Sequence, residues 1–418
     1  MPLPCPPDGI PTSTRDVISL SNIQTEFGGS NPISISEYYR GGGFVQSATG
    51  TVPTSGQIRF SDFLCSSSVV LLTNVVELAT TLTPLTGGSQ YGKSVAIGNG
   101  RIVVGAPGYN YSSSVANSGL IYVYDTNGNQ ITTITNNKNP AQDTRFGASV
   151  AVGSNIIAVG ANREDNSKGA VYIYDLNGNF IRRLQPSSTV GNFGISVAIG
   201  DGMLVVGTDL VTTNQIYTYN INSNYAENIL ITSNSTVAPR VAIGNGKIVV
   251  GNAGFSTLGI VNIFNTNGTG RIELSQGSSI GFGYSIAVGG NVIVIGAPYN
   301  DTQSSNNGTV YVYSLSGSFI RQIFTSDTSA FLGFGNSVAV SDSRIVVGTF
   351  GAKLFQFKLD GTELGSILDP DPVSTEDWAT SISAGEGKIV VGSPNNWVFG
   401  TPSSAELAGP PGSIYLLS

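Results

Sequence analysis

The chain has no histidine in its 418 residues. That single absence removes the Ser-His-Asp and Cys-His arrangements, imidazole acid/base chemistry and histidine metal ligands. Cysteine is limited to Cys5 and Cys65. Two residues so far apart could bridge, but neither a CxxC pair nor a disulfide framework is present, and the expected reading is two free thiols of a chain made in a reducing cell. Charged residues make up 11% of the chain, less than half the usual ~25%. The formal net charge is -7 and no run of Lys or Arg occurs. Phosphate backbones and anionic membranes need clustered cations, so nucleic acid and membrane insertion are not expected.

Long apolar runs are missing too. The most apolar stretch, Val69 to Leu82, is broken by Asn74 and Glu77 and falls short of the ~20 residues a membrane helix needs. The opening Met1-Pro-Leu-Pro-Cys-Pro-Pro7 lacks a basic n-region and an apolar h-region, so no secretory signal is expected. A chain of this kind is expected to be made in the cytoplasm, and if it works outside the cell it must leave as part of something larger. The string Gly87–Ser94 fits GxxxxGK[ST], but it opens a repeat copy and leads into a strand rather than the helix a phosphate loop requires, and Gly277–Gly281 fits GxSxG without the histidine that its triad partners would include. The one acidic cluster, Asp369-Pro-Asp-Pro372 with Glu376-Asp377, reads as a solvated crossover loop. No catalytic residue, cofactor or metal is expected.

What is abundant is glycine, 54 residues, within a 40% apolar chain. The glycines mark an internal repeat. Tyr91-Gly-Lys-Ser-Val-Ala-Ile-Gly-Asn-Gly-Arg-Ile-Val-Val-Gly-Ala-Pro107 returns from Phe146, Phe193, Val237, Phe282, Phe334 and Trp378, seven copies in all. The glycine closing the apolar run falls at 105, 160, 207, 251, 296, 348 and 392, a period of about 48 residues that suits a propeller blade.

Each copy reads as four strands. Strand A is of the Ser94–Ile97 type, followed by a Gly-Asn-Gly turn in which glycine supplies positive φ. Strand B, Ile102–Val104, is a continuous β-branched run, as in a strand covered on both faces. Strand C alternates, as in Leu120-Ile-Tyr-Val-Tyr124. Asn-Gly or Asp-Gly at 127, 177, 267 and 360 then signals a hairpin into strand D, of the Gln130–Ile134 type. The seventh copy stops at its C strand, Ser413–Leu417, while Val75–Leu82 precedes the first A strand without a unit of its own. Residues 75–82 are therefore predicted to supply the missing outer strand and close the ring. The fold class is all-β: a seven-bladed β-propeller of four-stranded antiparallel blades over 69–418, behind a small irregular N-terminal segment, 1–68.

The Phe-Gly opening and the Gly-Ala-Pro after strand B resemble the FG-GAP repeat of integrin α-chain propellers and of many bacterial and viral surface proteins. Phe/Tyr-Gly stands at 91, 146, 193, 282 and 334, whereas Val237-Ala238 and Trp378-Ala379 depart from it. Many members of that family carry a DxDxDG calcium loop between strands A and B. Here that connection is a bare turn such as Gly98-Asn-Gly100, which lacks the carboxylates a hard cation requires. Glu164-Asp165-Asn166 lies between strands B and C instead and reads as a solvated turn.

Residues 16–64 have another texture. "IQTEFGGSNPISISEYY" followed by "VPTSGQIRFSDF" is similar to a short N-terminal module of virion proteins in tailed phages, notably those of marine cyanobacteria. The resemblance implies an attachment or oligomerisation piece. Its apolar residues Ile23, Phe27, Ile33, Ile35, Tyr38 and Tyr39 are the expected particle-docking set, since so small a segment buries little core alone; packing on the propeller of the same chain is the competing reading.

Long variable loops on a rigid scaffold are where binding usually resides. The B–C and D–A loops share one face of a propeller, and here they carry Tyr109, Tyr111, Tyr299, Trp397 and Phe399. Aromatic rings suit sugars and protein hot spots; equally, such rings can merely cap blade ends. The expectation is a virion structural protein of a tail, baseplate, fibre or capsid appendage. It would dock on other virion proteins, as an oligomer within the particle, and present the propeller to a host-surface glycan or protein. A propeller lyase or hydrolase acting on surface polysaccharide, and a cellular surface adhesin, are the opposing classes.

Overall fold

The computed structural model describes residues 76–77 and 89–417, apart from 113, 137–142, 188–189, 210–214, 232–236, 255–257, 302–304, 330, 342, 351–352, 370–377 and 395–412. The chain divides into two units, Met1–Thr73 and Asn74–Ser418, and the described residues belong to the second. Ile23, Phe27, Ile33, Ile35, Tyr38 and Tyr39 lie outside the described residues, as do both cysteines, Trp397 and Phe399.

Seven four-stranded antiparallel sheets form the propeller. Blade 1 consists of strands Ser94–Gly98, Arg101–Ala106, Leu120–Asp125 and Gln130–Thr135, in that spatial order. Blades 2 to 6 repeat the pattern from Phe146, Ser196, Arg240, Ser285 and Ser337. Blade 7 is composite. Ser381–Gly385, Lys388–Ser393 and Ser413–Leu417 are joined at the outer edge by Val76–Glu77, with Val76 opposite Leu416 and Glu77 opposite Tyr415. Of the stretch 75–82 expected to close the ring, Val76–Glu77 take the outer-strand position, and its other residues lie outside the described ones. No helix among the described residues is long and apolar enough to cross a membrane.

The periodicity of the repeat maps onto packing between blades. In strand B of blade 1, Ile102, Val104 and Ala106 pack among blade 7 residues Val390, Ile414 and Leu416. Val103 faces the other way, among Ile157, Val159 and Phe146 of blade 2. Both faces of strand B are therefore core, which explains its unbroken β-branched run. The aromatic residue that opens six of the seven copies packs against the strand C aromatics of its own blade. Phe146 sits edge-on to Tyr172 with centroids 5.5 Å apart, Phe193 to Tyr217 at 5.4 Å, and Phe282 to Tyr311 at 5.3 Å. All three phenylalanines are fully buried, each contributing about 1.5–3 kcal/mol by burial.

In six of the seven blades a serine at the head of strand A stitches the blade to the next. Ser94 donates to the carbonyl oxygen of Gly147, Ser149 to Gly194, Ser196 to Pro239, Ser285 to Gly335 and Ser381 to Gly92, all at 2.7–2.9 Å. Ser337 makes the same bond to Ala379. The strand B glycine lies directly opposite this serine, as Gly105 opposite Ser94. A methyl on Gly105 would stand 2.1 Å from the Gly147 oxygen and 2.3 Å from the Ser94 hydroxyl. Glycine is required there because two blades touch backbone to backbone.

Candidate binding face

Strand order puts the A–B and C–D turns on one face and the B–C and D–A loops on the other. The first face is regular. Its turn side chains grip the neighbouring blade: Glu386 accepts from the Gly100 amide, Asn99 from Asn155 and Asp201 from Gly246. The C–D turns close on themselves. Asp125 Oδ1 accepts the amides of Asn127 and Asn129, and Oδ2 accepts the Asn129 side chain. Asp175 repeats this arrangement. These self-made bonds hold both carboxyls below the usual carboxylate range. Their oxygens are already engaged, and among the described residues no three of His, Cys, Asp or Glu gather into a metal-binding group.

The second face carries the departures from the repeat. Strand A of blade 4 begins with Arg240 where six blades have serine. Its guanidinium lies over the ring of Tyr284 in blade 5, 5.7 Å from the centroid. Tyr284 meets Tyr299 edge-on at 5.4 Å, and Tyr299 lies against Phe350 of blade 6 at 5.1 Å. The two phenols are hydrogen-bonded, and burial, with this contact, pushes the Tyr299 hydroxyl well above its ordinary pKa. Glycine makes room beneath the rings: a methyl on Gly281 would come within 2.9 Å of Tyr299, and one on Gly333 within 2.1 Å of Phe350. Two residues before Gly333, Phe331 is 67% exposed with φ at +59°, a conformation rare for a bulky side chain. A cation and three rings thus form a continuous ladder across blades 4, 5 and 6.

The aromatics expected to form one surface divide among different settings. Tyr299 is in the ladder. Tyr109 is half-buried against the blade 1 core, and its carbonyl accepts the Gly119 amide and the Ser118 hydroxyl, so it caps its blade. Tyr111 is exposed, its amide held by Val115 and Ser118. Sequence reasoning missed Arg240, Tyr284, Phe350 and Phe331. The available signal was the repeat itself. Tyr284 stands where the other copies have Lys93, Ala148, Ile195, Pro239, Asn336 and Thr380, and Phe350 where they carry Pro, Asn, Asp or Ala.

The reading of Glu164-Asp165-Asn166 as a solvated turn is corrected for its first residue. Glu164 is fully buried. Its carboxylate accepts from Tyr172 Oη at 2.8 Å, from Arg183 Nη2 at 2.6 Å and from Asn136 Nδ2 at 3.1 Å. Burial works against the Arg183 charge, but the bonds to Glu164 outweigh it and raise its pKa. The turn continues through Asp165, Asn166 and Ser167, all at positive φ, and Arg183 also holds Asp165 at 2.7 Å. A strained turn is pinned by its buried first residue.

With the fold described, the FG-GAP repeat family matches residues 129–174 and 277–313. Each match opens on or beside the outer strand of one blade and closes on strand C of the next. The sequence repeat is therefore offset by one strand from the structural blade, the offset that leaves Val76–Glu77 to complete blade 7. No curated protein matches the chain. The class defined by fold and matches is a seven-bladed β-propeller carrying FG-GAP repeats, a class that points to protein binding or adhesion.

Proposed function

We propose that the chain is a non-enzymatic binding component of a phage particle, attached through its N-terminal segment and presenting the B–C face of the propeller to a host surface. The observation that carries the binding half is the clustering of repeat-breaking residues, Arg240, Tyr284, Tyr299 and Phe350, on one face of an otherwise regular scaffold. Residues that obey the repeat build the scaffold; residues that break it on a loop face serve recognition. The virion half is supported by the resemblance of residues 16–64. Histidine-free composition supports binding over turnover.

The test has two arms. Mass spectrometry of purified particles should find the chain in fixed stoichiometry with other virion proteins, and particles made with a chain lacking 1–68 should lose it. The purified full chain should bind host cells or their isolated envelopes without releasing sugar fragments. Absence from particles sinks the virion half; fragment release sinks the non-enzymatic half.

A further inference from the structure

We infer that the ladder from Arg240 to Phe350 is a binding site for a carboxylated sugar chain, an inference that rests on the B–C face being the recognition face. Arg240 is the first observation. It is exposed, and its contacts are the Ala238 carbonyl oxygen at 3.2 Å and the Tyr284 ring. Arg163 is salt-bridged to Asp143, Arg183 to Glu164 and Asp165, and Arg271 to Glu273. Arg101, Arg182, Arg321 and Arg344 form no salt bridge among the described residues but reach neutral oxygens on other strands or turns, whereas the guanidinium of Arg240 bonds the carbonyl two residues before it. No carboxylate among the described residues forms a salt bridge with Arg240. In a chain of net charge -7, an exposed guanidinium with no salt bridge is a local positive centre in a field that repels anions.

Charge and geometry together narrow the ligand. One planar guanidinium fork matches one carboxylate with two parallel hydrogen bonds. Polyphosphate or nucleic acid would demand several cations, and none of the other ladder members is charged. The rings supply the second half. Tyr284 and Tyr299 are partly exposed rings with hydroxyl rims, and Phe350, partly exposed as well, adds a third. A sugar offers the complement, a C–H face for ring contact and hydroxyls for the phenols. Phe331, held exposed on left-handed backbone in the adjoining D–A loop, provides an apolar surface at the Phe350 end. A chain of linked rings, rather than a single sugar, suits a site built from consecutive side chains across three blades.

Arg240 also explains itself by what it displaces. The serine that belongs there would stitch blade 4 to blade 5, and this chain forgoes that bond. Arg240→Ser is therefore a variant expected to fold at least as well as the parent, because it installs the residue of the other six blades.

Calorimetric titration of the full chain tests the inference, with oligomers of galacturonate, glucuronate and mannuronate, their methyl esters, and glucose oligomers as probes. At least one uronate oligomer should bind. Its affinity should fall about tenfold or more on esterification and in Arg240→Ser, as expected for loss of a charge-assisted pair. Tyr284→Ile, which installs the residue of blade 3, should weaken binding as well, with thermal unfolding confirming that both variants are folded. Failure of every uronate to bind, equal binding of the esters, unchanged affinity in Arg240→Ser, or tighter binding of polyglutamate would each overturn the inference. The broader binding reading is judged separately: host-envelope binding that persists in Arg240→Ser leaves it standing while removing this site.

Discussion

The Ser381 hydroxyl donates to the carbonyl oxygen of Gly92 at 2.7 Å, joining the last blade to the first. It is the bond made between consecutive blades elsewhere in the ring, here between residues 289 positions apart. Closure therefore has two parts, the outer strand Val76–Glu77 and this inner stitch. Ser381→Ala should lower unfolding free energy by about 1–2 kcal/mol, because a carbonyl at the joint loses its donor. Deleting 75–82 should be far worse and abolish soluble expression, since it leaves blade 7 with an open edge. Urea unfolding checks the first; a soluble, folded 85–418 fragment would contradict the second.

Glycines in this chain serve two purposes, and substitution separates them. A methyl on Gly392 would meet the Gly92 oxygen at 2.1 Å and the Ser381 hydroxyl at 2.3 Å, so Gly392→Ala must push two blades apart. Gly100 has nothing within 4 Å of such a methyl but sits at φ +71°. Gly100→Ala should cost about 1–2 kcal/mol, the usual left-handed penalty. Gly392→Ala should cost more than twice as much or prevent folding. Equal thermal shifts would refute the distinction.

The reverse exchange should stabilise. Five copies of the Phe/Tyr-Gly pair place glycine at φ between +88° and +96°, and blade 7 has Ala379 at +60° instead. Ala379→Gly should raise stability by up to about 1 kcal/mol, relief of strain exceeding the entropy glycine brings to the unfolded chain. A fall in the thermal midpoint would show that the Ala379 methyl packs usefully.

Blade number, strand order and ring closure were legible because their causes are local and repeated. β-branched runs and a 48-residue period, roughly, recur through the copies, Asn-Gly or Asp-Gly C–D hairpins mark four of them, and the unpaired ends at 75 and 417 had one consistent partner each. Tyr299 was legible as an aromatic in a variable loop. Its neighbours were not, because Arg240 and Tyr284 lie in the repeat itself, where a reader expects scaffold. Glu164 was misread for a different reason. Its partners Asn136 and Arg183 are 28 and 19 residues away, and nothing in the Glu-Asp-Asn triplet shows that blade 1 and strand D of blade 2 converge on it.

Asp327 gives a pH signature. The Lys353 ammonium and the Ser329 hydroxyl hold its carboxyl down at about 2, against an ordinary 3.8. A carboxyl whose folded pKa is depressed contributes stability above its unfolded pKa and loses it as pH falls through the folded value. The contribution is therefore complete above pH ~4 and gone below ~2. The pair is partly solvated, so it is worth well under the full shift, about 1 kcal/mol at most. Lys353→Met should destabilise the chain slightly at pH 7, with the difference from the parent vanishing as pH approaches 2. A difference that persists unchanged at low pH would mean that Lys353 acts through packing.

Glu164 and Arg183 should behave as a unit. Removing the cation alone, in Arg183→Met, leaves a fully buried carboxylate with, among the described residues, Tyr172 and Asn136 as donors. Breaking a buried pair from one side costs about 3–5 kcal/mol; the partial exposure of Arg183 places this case near the lower end. Glu164→Gln keeps the shape and removes the charge, so it should cost less. In the double variant no charge remains to be buried, and the loss should fall short of the sum of the two by about 1–3 kcal/mol. The same variants should loosen the left-handed turn at Asp165, Asn166 and Ser167, visible as faster amide exchange there than elsewhere in blade 2. Additive losses in equilibrium unfolding would show instead that Glu164 is held by its neutral donors and that Arg183 is incidental to the turn.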